Sequence, residues 1–130
     1  MKTPQEMVRE FHEVFGLVAN DKLTQPDPET CQLRRHLIAE ESSEACYELM
    51  KHPSELDKVA KELADLAYVV YGTAVSFGID LDAVIEEVHK SNMSKLDDDG
   101  KPIYREDGKI LKSNNYKPAD VYKVLYGSGS

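Results

Sequence analysis

Leu33-Arg34-Arg35-His36-Leu37-Ile38-Ala39-Glu40-Glu41-Ser42-Ser43-Glu44 and, further on, Glu62-Leu63-Ala64-Asp65-Leu66-Ala67-Tyr68-Val69-Val70-Tyr71 decide how this chain folds. Both read as helix. Residues three or four apart share a helical face, so Leu33, Leu37, Glu41 and Glu44 form one row and Glu62, Asp65 and Val69 another. Each row is apolar at one end and acidic at the other. Carboxylates rarely face a core unless paired or bound to metal. At about 4–5 Å and an effective dielectric near 20, each like-charge contact costs roughly 3–4 kcal/mol. No lysine follows either row at a neutralising spacing, although Lys58 and Lys61 lie close to Glu62. Four facing carboxylates therefore call for outside positive charge, and all-oxygen ligation suits a hard cation such as Mg²⁺.

Working outward, helix signals dominate the first three quarters of the chain. Thr3-Pro4 is an N-cap followed by Pro at the first helical position, and Met7, Phe11, Val14, Phe15 and Val18 extend a 3.6-residue stripe to about residue 19. Asp27-Pro28 repeats the signature and opens a helix to Met50; Ser54 with Asp57 offers a capping start for the next, which runs to Phe77 ahead of Gly78. Asp80 caps a fourth helix through Met93. The stretch Leu66 to Tyr71 is apolar all round, which demands burial on every side; a homo-oligomer enclosing this helix between subunits meets that demand. Beyond it, Asp97-Asp98-Asp99-Gly100-Lys101 and Asp107-Gly108-Lys109 form an imperfect repeat of turns flanking brief extended segments, and Ala119 to Leu125 is a last short helix. The reading is an all-α four-helix domain over residues 1–126 with an irregular C-terminal segment. Residues 127–130, Gly-Ser-Gly-Ser, read as an appended linker.

Composition narrows the function. Sixteen Lys plus Arg against 24 Asp plus Glu leave a net charge of −8, the wrong sign for non-specific nucleic-acid binding. No apolar run reaches membrane-spanning length, and no signal-peptide pattern opens the chain. Cys31 and Cys46 stand about 22 Å apart along one helix, too far to bridge. Free thiols of this kind suit a reducing, cytoplasmic setting.

These residues carry a resemblance. Glu40-Glu41-x-x-Glu44, a gap of seventeen residues, then Glu62-Leu63-x-Asp65-Leu66 resembles the signature of the MazG-like all-α nucleoside triphosphate pyrophosphohydrolases. Glu87-Val88-His89-x-x-Asn92-x-Ser94-Lys95 resembles that family's downstream helix. Asp107-Gly108-Lys109-x-Leu111-Lys112 through Tyr116-x-Pro118-Ala119-Asp120-Val121 resembles the tail of its dimeric, dUTPase-like branch; the likeness spans roughly residues 30 to 121. The resemblance implies Mg²⁺-dependent cleavage of a (deoxy)nucleoside triphosphate to the monophosphate and pyrophosphate, with Mn²⁺ as a substitute cation. It implies a role in nucleotide-pool control and a homo-oligomer, a dimer or a dimer of dimers. It assigns Glu41, Glu44, Glu62 and Asp65 as metal ligands, and Glu40 and Glu41 as candidate catalytic acids, Glu40 in activating water.

The chemistry agrees. Triphosphate cannot approach four carboxylates unaided; Mg²⁺ would balance the charge and acidify a water for attack on phosphorus. Lys95, Lys109 and Lys112 are candidates for holding the phosphates, with Arg34 and Arg35 behind them. Asn92 and Tyr116 offer directional hydrogen bonds to base or ribose; packing of the tail is an equal reading of Tyr116. Glu40, rotated about 100° from Glu41, reaches the site only from its edge, and a surface carboxylate is its other reading. Competing readings are phosphoribosyl-ATP pyrophosphohydrolysis, a di-iron carboxylate bundle built on Glu86-x-x-His89, and a catalytically silent interaction module. An EF-hand loop near Asp97 fails because Lys95 takes the first ligand position. His12, His36 and His52 read as surface or capping residues.

Overall fold

The computed structural model describes residues 1–127; the end of the expected linker, 128–130, lies outside them. The architecture is all-α with one small hairpin, in two compact units divided after Ile79. No single helix among the described residues is long and apolar enough to cross a membrane.

The first unit holds α1 (Pro4–Phe15), α2 (Pro28–Met50) and α3 (Leu56–Phe77), with α3 packed against both of the others. Thr3 and Glu6 form a reciprocal capping box at the start of α1. The helix stops at Phe15, short of the expected residue 19, because Gly16 turns left-handed (φ 74°) and its N–H closes onto the His12 carbonyl. Asp27 caps α2 by accepting from the Thr30 N–H at 2.7 Å. The Ser54 cap expected for α3 does not form. Ser54 Oγ instead donates to the Lys51 carbonyl at 2.9 Å, leaving Glu55 as an N-cap without a side-chain bond.

Val8, Ala45, Ala74 and Val75 make the apolar core of this unit, with the polar side chains of His12, Arg34 and Ser76 buried among them. Those polar groups are bonded, as burial requires. His12 Nδ1 and Ser76 Oγ both donate to the Val18 carbonyl, at 2.9 and 2.8 Å. Asn20 Nδ2 donates to the Ser76 carbonyl at 2.7 Å, and the Asn20 and Thr24 N–H groups reach the Val75 and Phe77 carbonyls. The loop after α1 is thereby stitched to the end of α3. In the apolar stretch of α3, Leu66 and Val69 to Tyr71 are half-buried, whereas Ala67 and Tyr68 are exposed.

The second unit begins with α4 (Leu81–Met93), capped by Asp80, and ends with α5 (Val121–Tyr126), capped by Asp120. Between them β1 (Ile103–Tyr104) pairs antiparallel with β2 (Ile110–Leu111), Ile103 opposite Leu111 and Tyr104 opposite Ile110. Both Asp-Gly-Lys repeats are turns for the same reason: Asp97 Oδ1 accepts from the Lys101 N–H at 2.9 Å, and Asp107 Oδ1 from the Lys109 N–H at 3.1 Å.

Candidate metal centre and its adjoining cavity

Helical spacing puts Glu41 and Glu44 on one face of α2, and Glu62 and Asp65 on one face of α3. Packing of the two helices brings those faces together. Carboxylate oxygens of Glu41, Glu62 and Asp65 lie within 4.8 Å of one another, and so do those of Glu40, Glu41 and Glu44. Glu41 belongs to both groups.

The surroundings leave part of this charge uncompensated. Oε2 of Glu41 and Oε2 of Glu62 are shielded from solvent and accept no hydrogen bond among the described residues. Burial raises the Glu62 carboxyl above the ordinary carboxylate range, and a hydrogen-bonded contact with Glu44 and the charges of Glu44 and Asp65 push the same way, against Lys61. Lys61 corrects the sequence reading. Its Nζ lies 2.7 Å from Asp65 Oδ2, an i,i+4 partner that neutralises this end of the row. Glu40 is exposed at the edge, 3.5 Å from His36 Nε2. The two bare oxygens, beside Glu44 and Asp65, would suit a divalent cation, because a buried acceptor left bare needs some positive partner.

A cavity of about 280 Å³ opens beside the cluster, with Glu41 and Asp65 in its wall together with Phe11, Arg34, Leu37 and Tyr68. Phe11 and Tyr68 meet edge to face at 5.7 Å. Arg34, only 4% exposed, straps α2 to α3: Nε donates to Thr73 Oγ1 at 3.2 Å and Nη2 to the Val69 carbonyl at 3.0 Å. Burial lowers its proton affinity, yet a guanidinium stays charged. His12 also lines the cavity and is 2% exposed, so its expected place on the surface is wrong. Burial pulls its pKa below the usual histidine value; the Val18 hydrogen bond opposes that, and Arg34 and Arg9 add to it. Gly72 gives these two room, since a Cβ there would sit 2.3 Å from Arg34 Nη2 and 2.9 Å from His12 Nε2. The available sequence signal was that His12 stands one turn beyond the core residue Val8.

In the second unit, Asn92 and Lys95 line a cavity of about 370 Å³ with Met93, Leu96, Pro102 and Ile110. Lys112 Nζ lies 4.6 Å from the Tyr116 ring centroid, a cation–π contact. Lys109 sits in the hairpin turn, its carbonyl accepting from the Arg105 N–H at 2.8 Å. Glu86 and His89, the half-motif of the di-iron reading, are exposed and join neither carboxylate group.

Comparison with known proteins adds two findings. Residues 8–92 match the phosphoribosyl-ATP pyrophosphohydrolase family, a span that includes all five acids, His12, Arg34 and Asn92. The chain is also 30% identical, over a 132-residue alignment, to uncharacterized protein L479 of Acanthamoeba polyphaga mimivirus. That alignment covers 95% of this chain and 52% of the viral protein, so the chain spans about half the length of this relative. The chain belongs to the phosphoribosyl-ATP pyrophosphohydrolase family, within the MazG-like all-α superfamily.

Proposed function

We propose that this protein is a Mg²⁺-dependent nucleoside triphosphate pyrophosphohydrolase that cleaves between the α- and β-phosphates, giving the nucleoside monophosphate and pyrophosphate. The observation that carries the reading is the pair of bare, shielded oxygens on Glu41 and Glu62 within a converging carboxylate cluster. Glu41, Glu44, Glu62 and Asp65 would hold the cation. When bound, Mg²⁺ would supply charge neutralisation, electrophilic help at phosphate oxygens and a more acidic water. Glu40, exposed at the edge of the cluster, would take the proton that water loses as its oxygen attacks phosphorus and pyrophosphate departs. Lys95, Lys109 and Lys112 are the proposed cationic grip on the phosphates, and Asn92 and Tyr116 the proposed hydrogen-bonding groups toward the ribose.

A nucleoside triphosphate is preferred over phosphoribosyl-ATP because of the segment after residue 92. It lies outside the family match, and its sequence resembles the tail of the dUTPase-like branch. Apolar side chains left open on the first unit, among them Leu33, Tyr47 and Leu63, support a homo-oligomer of at least two chains.

The test is a panel of ribo- and deoxynucleoside triphosphates and phosphoribosyl-ATP, each incubated with Mg²⁺ and followed by phosphorus NMR. Monophosphate and pyrophosphate should appear together from a triphosphate and stop with EDTA. Orthophosphate beside a diphosphate would refute the cleavage site. Turnover of phosphoribosyl-ATP alone would return the protein to the activity that names its family.

A further inference from the structure

The cavity beside the carboxylates holds two buried polar groups that the proposed hydrolysis does not use. Arg34 spends Nε and one Nη2 hydrogen on α3, and no other N–H of its guanidinium has a partner among the described residues. No carboxylate there forms an ion pair with it. His12 presents the opposite chemistry. Its Nδ1 faces a carbonyl oxygen, which only accepts, so the proton sits on Nδ1 and Nε2 is left as an acceptor. That Nε2 has no partner among the described residues. It lies beside Arg34 Nη2, since both fall within 3 Å of the single point that a Gly72 Cβ would occupy.

A donor and an acceptor thus stand side by side in a pocket walled by Phe11, Leu37 and Tyr68. Apolar and aromatic walls disfavour a phosphate, which needs several donors, and suit a planar heterocycle. Spacing agrees: Arg34 is two helical turns before Glu41, about 10 Å along α2, which is the reach of a nucleotide from its phosphate to the far edge of its base.

We infer that this cavity seats the nucleobase of the substrate and that Arg34 and His12 select bases presenting an adjacent C=O and N–H, namely uracil, thymine, guanine and hypoxanthine. This inference rests on the proposed triphosphate reaction and deepens it. Arg34 donates to the exocyclic carbonyl, and His12 Nε2 accepts from the neighbouring ring N–H. Cytosine and adenine present the reverse order, an amino donor beside a bare ring nitrogen, which sets donor against donor and acceptor against acceptor. Phosphoribosyl-ATP carries adenine with a second sugar on that edge and is rejected twice over.

The whole protein is assayed with Mg²⁺ and dUTP, dTTP, dGTP, dCTP and dATP in parallel. kcat/KM for the first three should exceed that for the last two by at least about tenfold, since a mismatched polar edge in a buried site is heavily penalised. Arg34→Gln, whose amide both donates and accepts, should narrow the preference to below about threefold. Should that variant fail to fold by circular dichroism, the ranking by the unmodified protein decides alone. A ratio below about threefold, or a preference for dATP or dCTP, overturns the base assignment and leaves the hydrolysis intact. If no nucleotide is turned over, the reaction reading fails. Equilibrium binding of dUMP against dCMP then judges the pocket separately: tighter dUMP supports it, and equal or absent binding overturns it.

Discussion

Glu62 is where the physical conflict of this molecule concentrates. One of its oxygens is bare and shielded, and its carboxyl is raised above the ordinary range by burial and by Glu44. A raised folded-state pKa means that the fold favours the protonated form. The stability linked to this group is therefore complete below the unfolded carboxylate pKa and is lost as pH rises through the folded value. Glu62→Gln removes that dependence. In EDTA the variant and the unmodified protein should be closest in stability under acidic conditions, and the variant should gain relative stability as pH rises to neutral. Urea denaturation across that range checks it; a gap that stays constant with pH would show that Glu62 carries no such strain. Mg²⁺ affinity should also fall toward acid pH, as protons compete for the same oxygens.

At the scale of the helices, two glycines of the α3 region make contrasting predictions. Gly78 ends the helix at φ 69°, and a Cβ there would meet the Lys22 carbonyl oxygen at 2.0 Å, an unyielding backbone neighbour. Gly78→Ala should cost at least about 2 kcal/mol, the left-handed penalty plus the clash. At Gly72 the obstruction is the Arg34 guanidinium, which can move only by giving up its bonds to Val69 and Thr73. Gly72→Ala should cost roughly 1–2 kcal/mol, the lost charged hydrogen bonds less the gain in helix propensity. Denaturant titration measures both, and a stabilised Gly72→Ala would show that Arg34 is loosely held.

The helices themselves were legible in the sequence because their signals are local. Thr3-Pro4, Asp27-Pro28 and Asp80 cap where expected, Gly78 stops α3, and the two Asp-Gly-Lys turns lie before and within a short hairpin. The convergence of Glu41, Glu62 and Asp65 was legible from i,i+3 spacing on two helices expected to pack together. What escaped depends on tertiary context. An apolar stripe does not show that Gly16 will turn left-handed. Ser54 had a backbone carbonyl within closer reach than the helix end. His12 is chemically at home on a surface, and only the Val18 carbonyl and the room left by Gly72 allow it to be buried. The Lys61–Asp65 pair, by contrast, is i,i+4 and as local as any cap, so spacing alone carries it.

At the scale of the whole molecule, side chains such as Leu33 (44% exposed) and Leu63 (49%) leave apolar surface on α2 and α3 that a second copy would cover. Light scattering at micromolar concentration should report at least twice the 14.7 kDa chain mass, and Leu63→Glu should lower it if that surface is the contact. A stable 14.7 kDa species from the unmodified protein would remove the proposed oligomer. We propose that the four carboxylates face one another to hold a cation and not to hold the fold. Thermal melting of Glu41→Gln beside the unmodified protein, each in EDTA and in Mg²⁺, tests it most directly. In EDTA the variant should melt as high or higher, because one repelling charge is gone, and the Mg²⁺-dependent rise in Tm of the unmodified protein should shrink in it. A variant that melts well below the unmodified protein in EDTA, yet gains as much from Mg²⁺, would make these carboxylates structural and contradict the account.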